Sequence, residues 1–349
     1  MKKLIAFLLV SAMIVLGLAS CGGGAVSSES SSGSSSESVS ESVSESESTE
    51  AGKTTVRVGG MTGPTTIGMV KLIQDQNNGA SANDYVFEIV GAADELTPKL
   101  IQGQLDMAAV PVNLASVLYN RTGGKITLLA VNTLGVLYML AKGEEIADFE
   151  DLKGKTIYAT GKGSTPEYNL RYLLSENGID PDKDVTLEFK SEPTEVVALL
   201  KSSENAVAML PQPFATAAMK QVDGLETVMD LTAEWDKLEN GSRMITGVMV
   251  VRTEFLEQNP EAVAAFLAEY EASIAYVNAN PAEMAPLVEQ YVGVNAGIAT
   301  QAIPKCNLAF LSGNDMKAAV AGYLGVLFAQ APQSVGGALP ADEFYYGAD

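Results

Sequence analysis

The sequence predicts an α/β protein of two similar lobes, each built on a mainly parallel sheet flanked by helices. Three observations predict it. Strand-like and helix-like segments alternate along most of the chain. The same order of segments occurs twice, at a constant spacing of 100 residues. The composition, 47% hydrophobic and 19% charged over 349 positions, suits a packed globule.

Two segments precede the globule. Lys2 and Lys3 are followed by a mostly apolar run from Leu4 to Leu18. Basic, then apolar, then small residues is the order of a secretory signal peptide. The run is shorter than the roughly 20 apolar residues a helix needs to cross a bilayer. It ends in Leu18-Ala19-Ser20-Cys21, which resembles a bacterial lipobox, so Cys21 is expected to carry acyl chains. Residues 22–53 are almost all Ser, Glu, Gly and Val. Such a stretch has too little apolar surface to offset its ordering entropy. It reads as a tether with an end-to-end distance on the order of 30 Å.

The first strand of the body is Val56-Arg57-Val58. It enters the loop Thr62-Gly63-Pro64-Thr65-Thr66, and a helix follows through Leu72 and Ile73. Later, Thr156-Ile157-Tyr158-Ala159 enters Thr160-Gly161-Lys162-Gly163-Ser164-Thr165-Pro166, and a helix runs through Leu170, Leu173 and Leu174. The next strands are Tyr85 to Val90 and Val185 to Phe189. Each leads into an amphipathic helix, Asp94 to Gln102 and Thr194 to Ser202. Then come Met107 to Pro111 and Val207 to Pro211, each followed by a helix. In each lobe such strand–helix–strand units give a mainly parallel sheet. Ligands on sheets of this kind sit beyond the carboxyl ends of the strands.

The loops at those ends share a chemistry. Thr62 to Thr66 and Gly163 to Pro166 each combine glycine, hydroxyls and a proline at a helix start. Glycine lets backbone N–H groups approach a ligand, and the helix dipole faces the same space. Hydroxyls add donors and acceptors without fixed charge. The candidate contacts are therefore Thr62, Gly63, Thr65, Thr66, Lys162, Gly163, Ser164 and Thr165, although Thr62, Thr65 and Ser164 would cap helices equally well. Pro111, Asn113 and Gln212 lie at strand ends expected to face the same cleft; Asn113 is also suited to an N-cap. Tyr138 lies near the expected crossing between lobes, placed either to stack on a ligand or to pack. Trp235, the lone tryptophan, reads as a packing residue. Gly161 to Thr165 is P-loop-like in part but lacks the first glycine of that motif.

Composition excludes several functions. A net charge of −21 argues against nucleic acid, whose phosphates need a basic face. There is no histidine, which removes His-based triads and His-containing metal sites. Beyond Cys21 the only cysteine is Cys306, read as a small buried hydrophobe. No cofactor or metal is called for, and nothing marks the chain as an enzyme.

Several segments together resemble the extracytoplasmic solute-binding lipoproteins of ABC importers, in particular the nitrate/sulfonate/taurine group that includes pyrimidine-precursor binders. They are the Leu18-to-Cys21 lipobox, the opening Val56 to Leu72, and Leu100-Ile101-Gln102-Gly103-Gln104-Leu105-Asp106-Met107-Ala108. They continue with Asp148-Phe149-Glu150-Asp151-Leu152-Lys153-Gly154-Lys155-Thr156-Ile157 and the loop Gly163 to Pro166. Val248 to Arg252, running into Asn259-Pro260-Glu261-Ala262-Val263, completes the set. The resemblance implies a periplasmic-binding-protein-like (type II) fold. It also implies a small-molecule solute held in a cleft between the lobes, an ABC permease as partner, and a monomer on the outer face of the membrane. The cleft loops hold few positive charges, a departure from the group's anion binders. The expected map is a signal peptide at 1–21, the tether at 22–53, a first lobe at 54–140, a second at 141–246, and a return to the first lobe with C-terminal helices at 247–349. Rival readings are a non-transport surface module of the same fold, and an enzyme of the pyrimidine-precursor synthase superfamily, disfavoured because those use histidine.

Overall fold

A computed structural model describes residues 52–349. The segment read as a signal peptide, Cys21 and nearly all of the segment read as a tether lie outside the described residues. Among the described residues no helix is long and apolar enough to cross a membrane.

In chain order the first lobe opens with β1 (Thr55–Met61), α1 (Pro64–Ile67), α2 (Val70–Asn77), β2 (Asp84–Val90) and α3 (Ala93–Ile101). It continues through β3 (Met107–Pro111), α4 (Val112–Thr122) and β4 (Ile126–Leu134). The second lobe holds β5 (Leu137–Lys142), β6 (Thr156–Thr160), α5 (Thr165–Glu176), β7 (Thr186–Lys190) and α6 (Pro193–Ser202). Then come β8 (Ala206–Pro211), α7 (Phe214–Gln221), β9 (Leu225–Asp230) and α8 (Leu231–Asp236). The chain returns through β10 (Ile245–Arg252), α9 (Thr253–Gln258), α10 (Pro260–Ala279), α11 (Pro281–Val292), α12 (Ala296–Ala302), β11 (Leu308–Leu311) and α13 (Gly313–Gln330).

The two sheets have orders β11-β4-β10-β3-β1-β2 and β7-β6-β8-β5-β9. Stripped of β11 they are the same plan. In each, parallel strands are interrupted by one antiparallel strand, β10 or β5, that has just arrived from the other lobe. The direction has a simple cause. β4 and β9 run toward the cleft edge of their sheets, so a chain that crosses there enters the next sheet from that edge and must run the opposite way.

The internal repeat is visible in the register. Gly59 pairs with Glu88 and Ala108, and Tyr158 pairs with Glu188 and Ala208. The outer strands keep the 100-residue offset. The central one does not: the partner of Gly59 is Tyr158, one position short, which corrects the spacing read from the sequence. The residue difference has a packing reason. A Cβ on Gly59 would stand 2.7 Å from Leu105 and 2.8 Å from Leu96, so the first lobe leaves no room for a side chain there. The repeat reaches the helix starts. Glu95 accepts from the Ala92 N–H and Glu195 from the Glu192 N–H, both at 3.2 Å, closing the first turns of α3 and α6.

Each lobe has a core of its own. Val56, Val58, Leu72 and Phe266 mark the first, which also reaches Phe214 and Ala217 of α7, and Val196, Leu200 and Leu210 mark the second. A third core is shared: Leu118, Val248, Leu173, Trp235, Tyr323 and Leu324 form one continuous cluster across the junction. Trp235 is fully buried there, with ring centroids 4.8 Å from Tyr172 and 5.4 Å from Tyr323. It packs, as its composition suggested. Behind α13 the chain end straps the first lobe, with Phe344 buried against Tyr119.

Candidate functional site

The crossings meet at one point. A Cβ on Gly135, between β4 and β5, would lie 2.2 Å from the Thr232 Oγ1 and 3.0 Å from the Met244 Sδ, on the segment that leads back to β10. On either side of this point stand the strand ends. Pro111 is register-paired with Gly247, and Leu137 with Pro211.

Elements that pack against β10 from both lobes, and β10 itself, carry buried polar atoms that have no protein partner. On the junction side are Asn113 Oδ1 on α4, Thr165 Oγ1 and Asn169 Nδ2 on α5, and Thr246 Oγ1 on β10 itself. Asn113, Thr165 and Asn169 are each at most 3% exposed. α5 belongs to the second lobe, and it packs against β10 and α13 of the first. Asn113 and Asn169 are held by their other ends. Asn113 donates to the Ser334 carbonyl at 3.1 Å, and Asn169 accepts from the Tyr323 hydroxyl. Each side chain is thus fixed, with one amide atom left over. An unpaired buried polar atom costs about 1–3 kcal/mol, which a ligand group supplying the missing bond recovers.

A second, smaller group lies on the opposite face of the first sheet. Thr65 Oγ1 is buried without a partner, whereas Asn132 Nδ2 and the Tyr270 hydroxyl, unbonded to other groups, face each other. Both Thr65 and Asn132 crowd Gly247: a Cβ there would stand 2.3 Å from Thr65 Cγ2 and 2.6 Å from Asn132 Oδ1. Only glycine lets α1 come this close to the crossing strand.

The other residues singled out from sequence are placed differently. Thr66 Oγ1 donates to the Met61 carbonyl, and the Thr62 N–H to the Val90 carbonyl at 2.8 Å. The Gly63 carbonyl accepts from the Thr66 N–H at 3.2 Å. The Gly163 N–H donates to Glu167 at 2.7 Å, and Ser164 Oγ to the Gly161 carbonyl at 3.1 Å. The Thr66, Gly63, Gly163 and Ser164 groups are committed to their own turns, and the Thr62 N–H to the end of β2. Lys162 is exposed. Gln212 Oε1 accepts from Thr216 Oγ1 at 2.8 Å and closes the start of α7. Tyr138 lies opposite Asp230, and its hydroxyl is pushed up to about 12 by burial and by that carboxylate.

The sequence reading missed Asn132, Asn169 and Thr246. Two had a signal. Asn132 interrupts the otherwise apolar run of β4, and Asn169 stands one helical turn after Thr165, beside Leu170.

No charged side chain takes part. Asp106 is the only charged residue in the buried set among the described residues. It lies away from the cleft edge, where Arg57 donates to it through Nε at 2.8 Å and Nη2 at 2.6 Å, and Arg252 at 3.1 Å. The rim of the junction is acidic. Glu192 of the second lobe comes within 3.1 Å of where a Cβ on Gly91 would stand, and Glu95 within 3.5 Å.

Two cavities open between the lobes outside this cluster. One of about 310 Å³ lies between α6 and α7 on one side and the α11–α12 turn on the other, lined by Val197, Phe214, Ala217, Val294 and Ile298. One of about 740 Å³ lies beside α5, lined by Glu167, Arg171, Asp180, Asp182 and Gln330. Neither includes Asn113, Thr165, Asn169 or Thr246; the second is lined by Gln330, whose Oε1 is a further buried amide atom without a partner. The chemistry favours that cluster as the site, because the first cavity is mainly apolar and in the second Arg171 is already paired with Glu167 and Asp182.

Residues 127–284 match the family model described as NMT1/THI5 like. A protein of Brucella abortus (strain 2308), named as a binding protein, is 27% identical over 180 residues, 51% of this chain and 54% of that protein. The match thus spans about half the length of that relative. Among solved structures, an ABC transporter from Parabacteroides distasonis is 25% identical with a TM-score of 0.69, over 84% of this chain and 99% of that one. The periplasmic aliphatic sulphonate binding protein SsuA from Escherichia coli is 16% identical with a TM-score of 0.65, over 80% and 94%. The fold is periplasmic-binding-protein-like, and the resemblance read from the sequence recurs in these likenesses.

Proposed function

We propose that this chain is the extracytoplasmic solute-binding subunit of an ABC importer. It captures a small solute between its lobes and presents the closed form to a permease. The observation that carries the reading is the set of buried, partnerless amides and hydroxyls on Asn113, Thr165, Asn169 and Thr246, contributed by both lobes at their crossing. A protein that never bound anything there would carry this cost without return. A solute that makes those bonds does so only when the lobes are together, so binding selects the closed population. The names of the Brucella, Parabacteroides and Escherichia proteins support the same reading. Acylation of Cys21, the spacer behind it and a monomeric state complete the proposal, which assigns no catalysis to a chain without histidine.

A thermal-shift screen of the protein against nitrate, taurine, alkanesulfonates, pyrimidines, flavins and amino acids tests it. A binder present at 100 times its dissociation constant adds about 2.7 kcal/mol of stability. Thr165→Ala is expected to weaken that binder about tenfold while leaving the unliganded Tm nearly unchanged. If no solute raises the Tm and X-ray scattering detects no change in lobe separation, the capture reading fails.

A further inference from the structure

Given the capture reading above, we infer that the solute is electrically neutral, and that Asn113, Thr165 and Asn169 read it by hydrogen bonding. Three observations converge. First, the orphaned atoms are an amide oxygen, an amide nitrogen and hydroxyls. They require a partner with at least one donor for Asn113 Oδ1 and one acceptor for Asn169 Nδ2. Second, no Lys or Arg belongs to the buried set among the described residues, and the one buried carboxylate, Asp106, is saturated by Arg57 and Arg252 away from the site. An ion of either sign closed into this junction would lose its water with no opposite charge to replace it. Third, the rim carries Glu95 and Glu192 from opposite lobes. Lys99 and Lys190 nearby are already paired with Glu88 and Glu188. Anions meet a repulsive entrance. The fold is shared with a sulphonate binder, but none of the partnerless buried groups is a cation; Arg243 and Lys162, the cations nearest in sequence to Thr246 and Thr165, are exposed and lie outside that buried set.

Asn169 is the residue that makes the inference specific. Its Oδ1 is occupied by the Tyr323 hydroxyl, which fixes the amide so that only the NH₂ remains to be satisfied. Tyr323 stands on α13 of the first lobe and Asn169 on α5 of the second. The donor is therefore oriented only when the two lobes are in contact.

Isothermal titration of the full chain separates the possibilities. The neutral arm is uracil, cytosine and nicotinamide; the charged arm is nitrate, methanesulfonate and ethanesulfonate. The expected result is binding by a neutral probe, with a dissociation constant that changes less than about twofold between 0.05 and 0.5 M NaCl. Asn169→Leu should weaken it at least about tenfold, while Asn169→Asp should fail to restore it, because a carboxylate has no N–H to donate. Binding by nitrate or a sulfonate, weakened by salt, overturns the neutral assignment and leaves the capture reading standing. Binding by none of the probes counts against both. If Asn169→Leu lowers the Tm without changing a neutral probe's affinity, the residue only braces the lobes and its reading role falls.

Discussion

Asp106 illustrates how a residue typical of a site turns out to be structural. Burial alone would raise its carboxyl, but the bonds from Arg57 and Arg252 outweigh that and hold it below the usual carboxylate range. It ties β1, the start of β3 and the end of β10 together. Asp106→Asn keeps the shape and removes the charge that both guanidiniums face. Breaking a buried pair costs about 3 kcal/mol, and a chain of this size then loses several degrees in Tm. Calorimetry is expected to show that loss, with solute affinity unchanged because the cluster is remote from the cleft edge.

At the scale of elements, the strap after α13 matters more than its position at the chain end suggests. The carbonyls of Ser334 and Val335 accept from Asn113, Ser116 and Asn120, so one short turn fixes the whole inner face of α4. Gly336 makes the turn possible. Its φ is +90°, and a Cβ there would lie 3.0 Å from Val117 Cα. Gly336→Val is expected to cost about 1–3 kcal/mol through backbone strain. It should also weaken solute binding, because Asn113 loses its anchor. A lowered Tm with unchanged affinity would separate α4 from the site.

At the scale of the whole molecule, stability should respond to pH only at the extremes. No histidine is present to titrate near neutrality. Burial pushes Tyr138 and Tyr345 up to about 12. An unfolded tyrosine ionises near 10, so their contribution is fully present below about pH 10 and is lost as pH rises toward 12. Asp106 acts in the opposite sense: its folded pKa is depressed, so its contribution is present above the ordinary carboxylate value and lost as pH falls below it. Thermal scans are expected to give a flat Tm between about pH 6 and 9 and a decline on both sides. A step near pH 6.5 would contradict this.

The sequence by itself determined the strand and helix order of both lobes, because alternating apolar patterns and loop glycines act over a few residues. It also determined the polar, nearly uncharged character of the cleft loops. Thr65, Asn113 and Thr165, named from it as candidate contacts, each carry a buried polar atom without a partner in the structure. The tertiary structure alone decided which hydroxyls remain available. Thr66, Ser164 and Thr165 look alike along the chain, yet the first two are bound to local carbonyls and the third is not. Asn169 and Asn132 were missed for a related reason. Whether an amide is satisfied depends on partners far away in sequence: Tyr323 lies 154 residues from Asn169, and Ser334 lies 221 from Asn113. Local pattern sets where a polar group stands, and only long-range packing sets what it has left to bind.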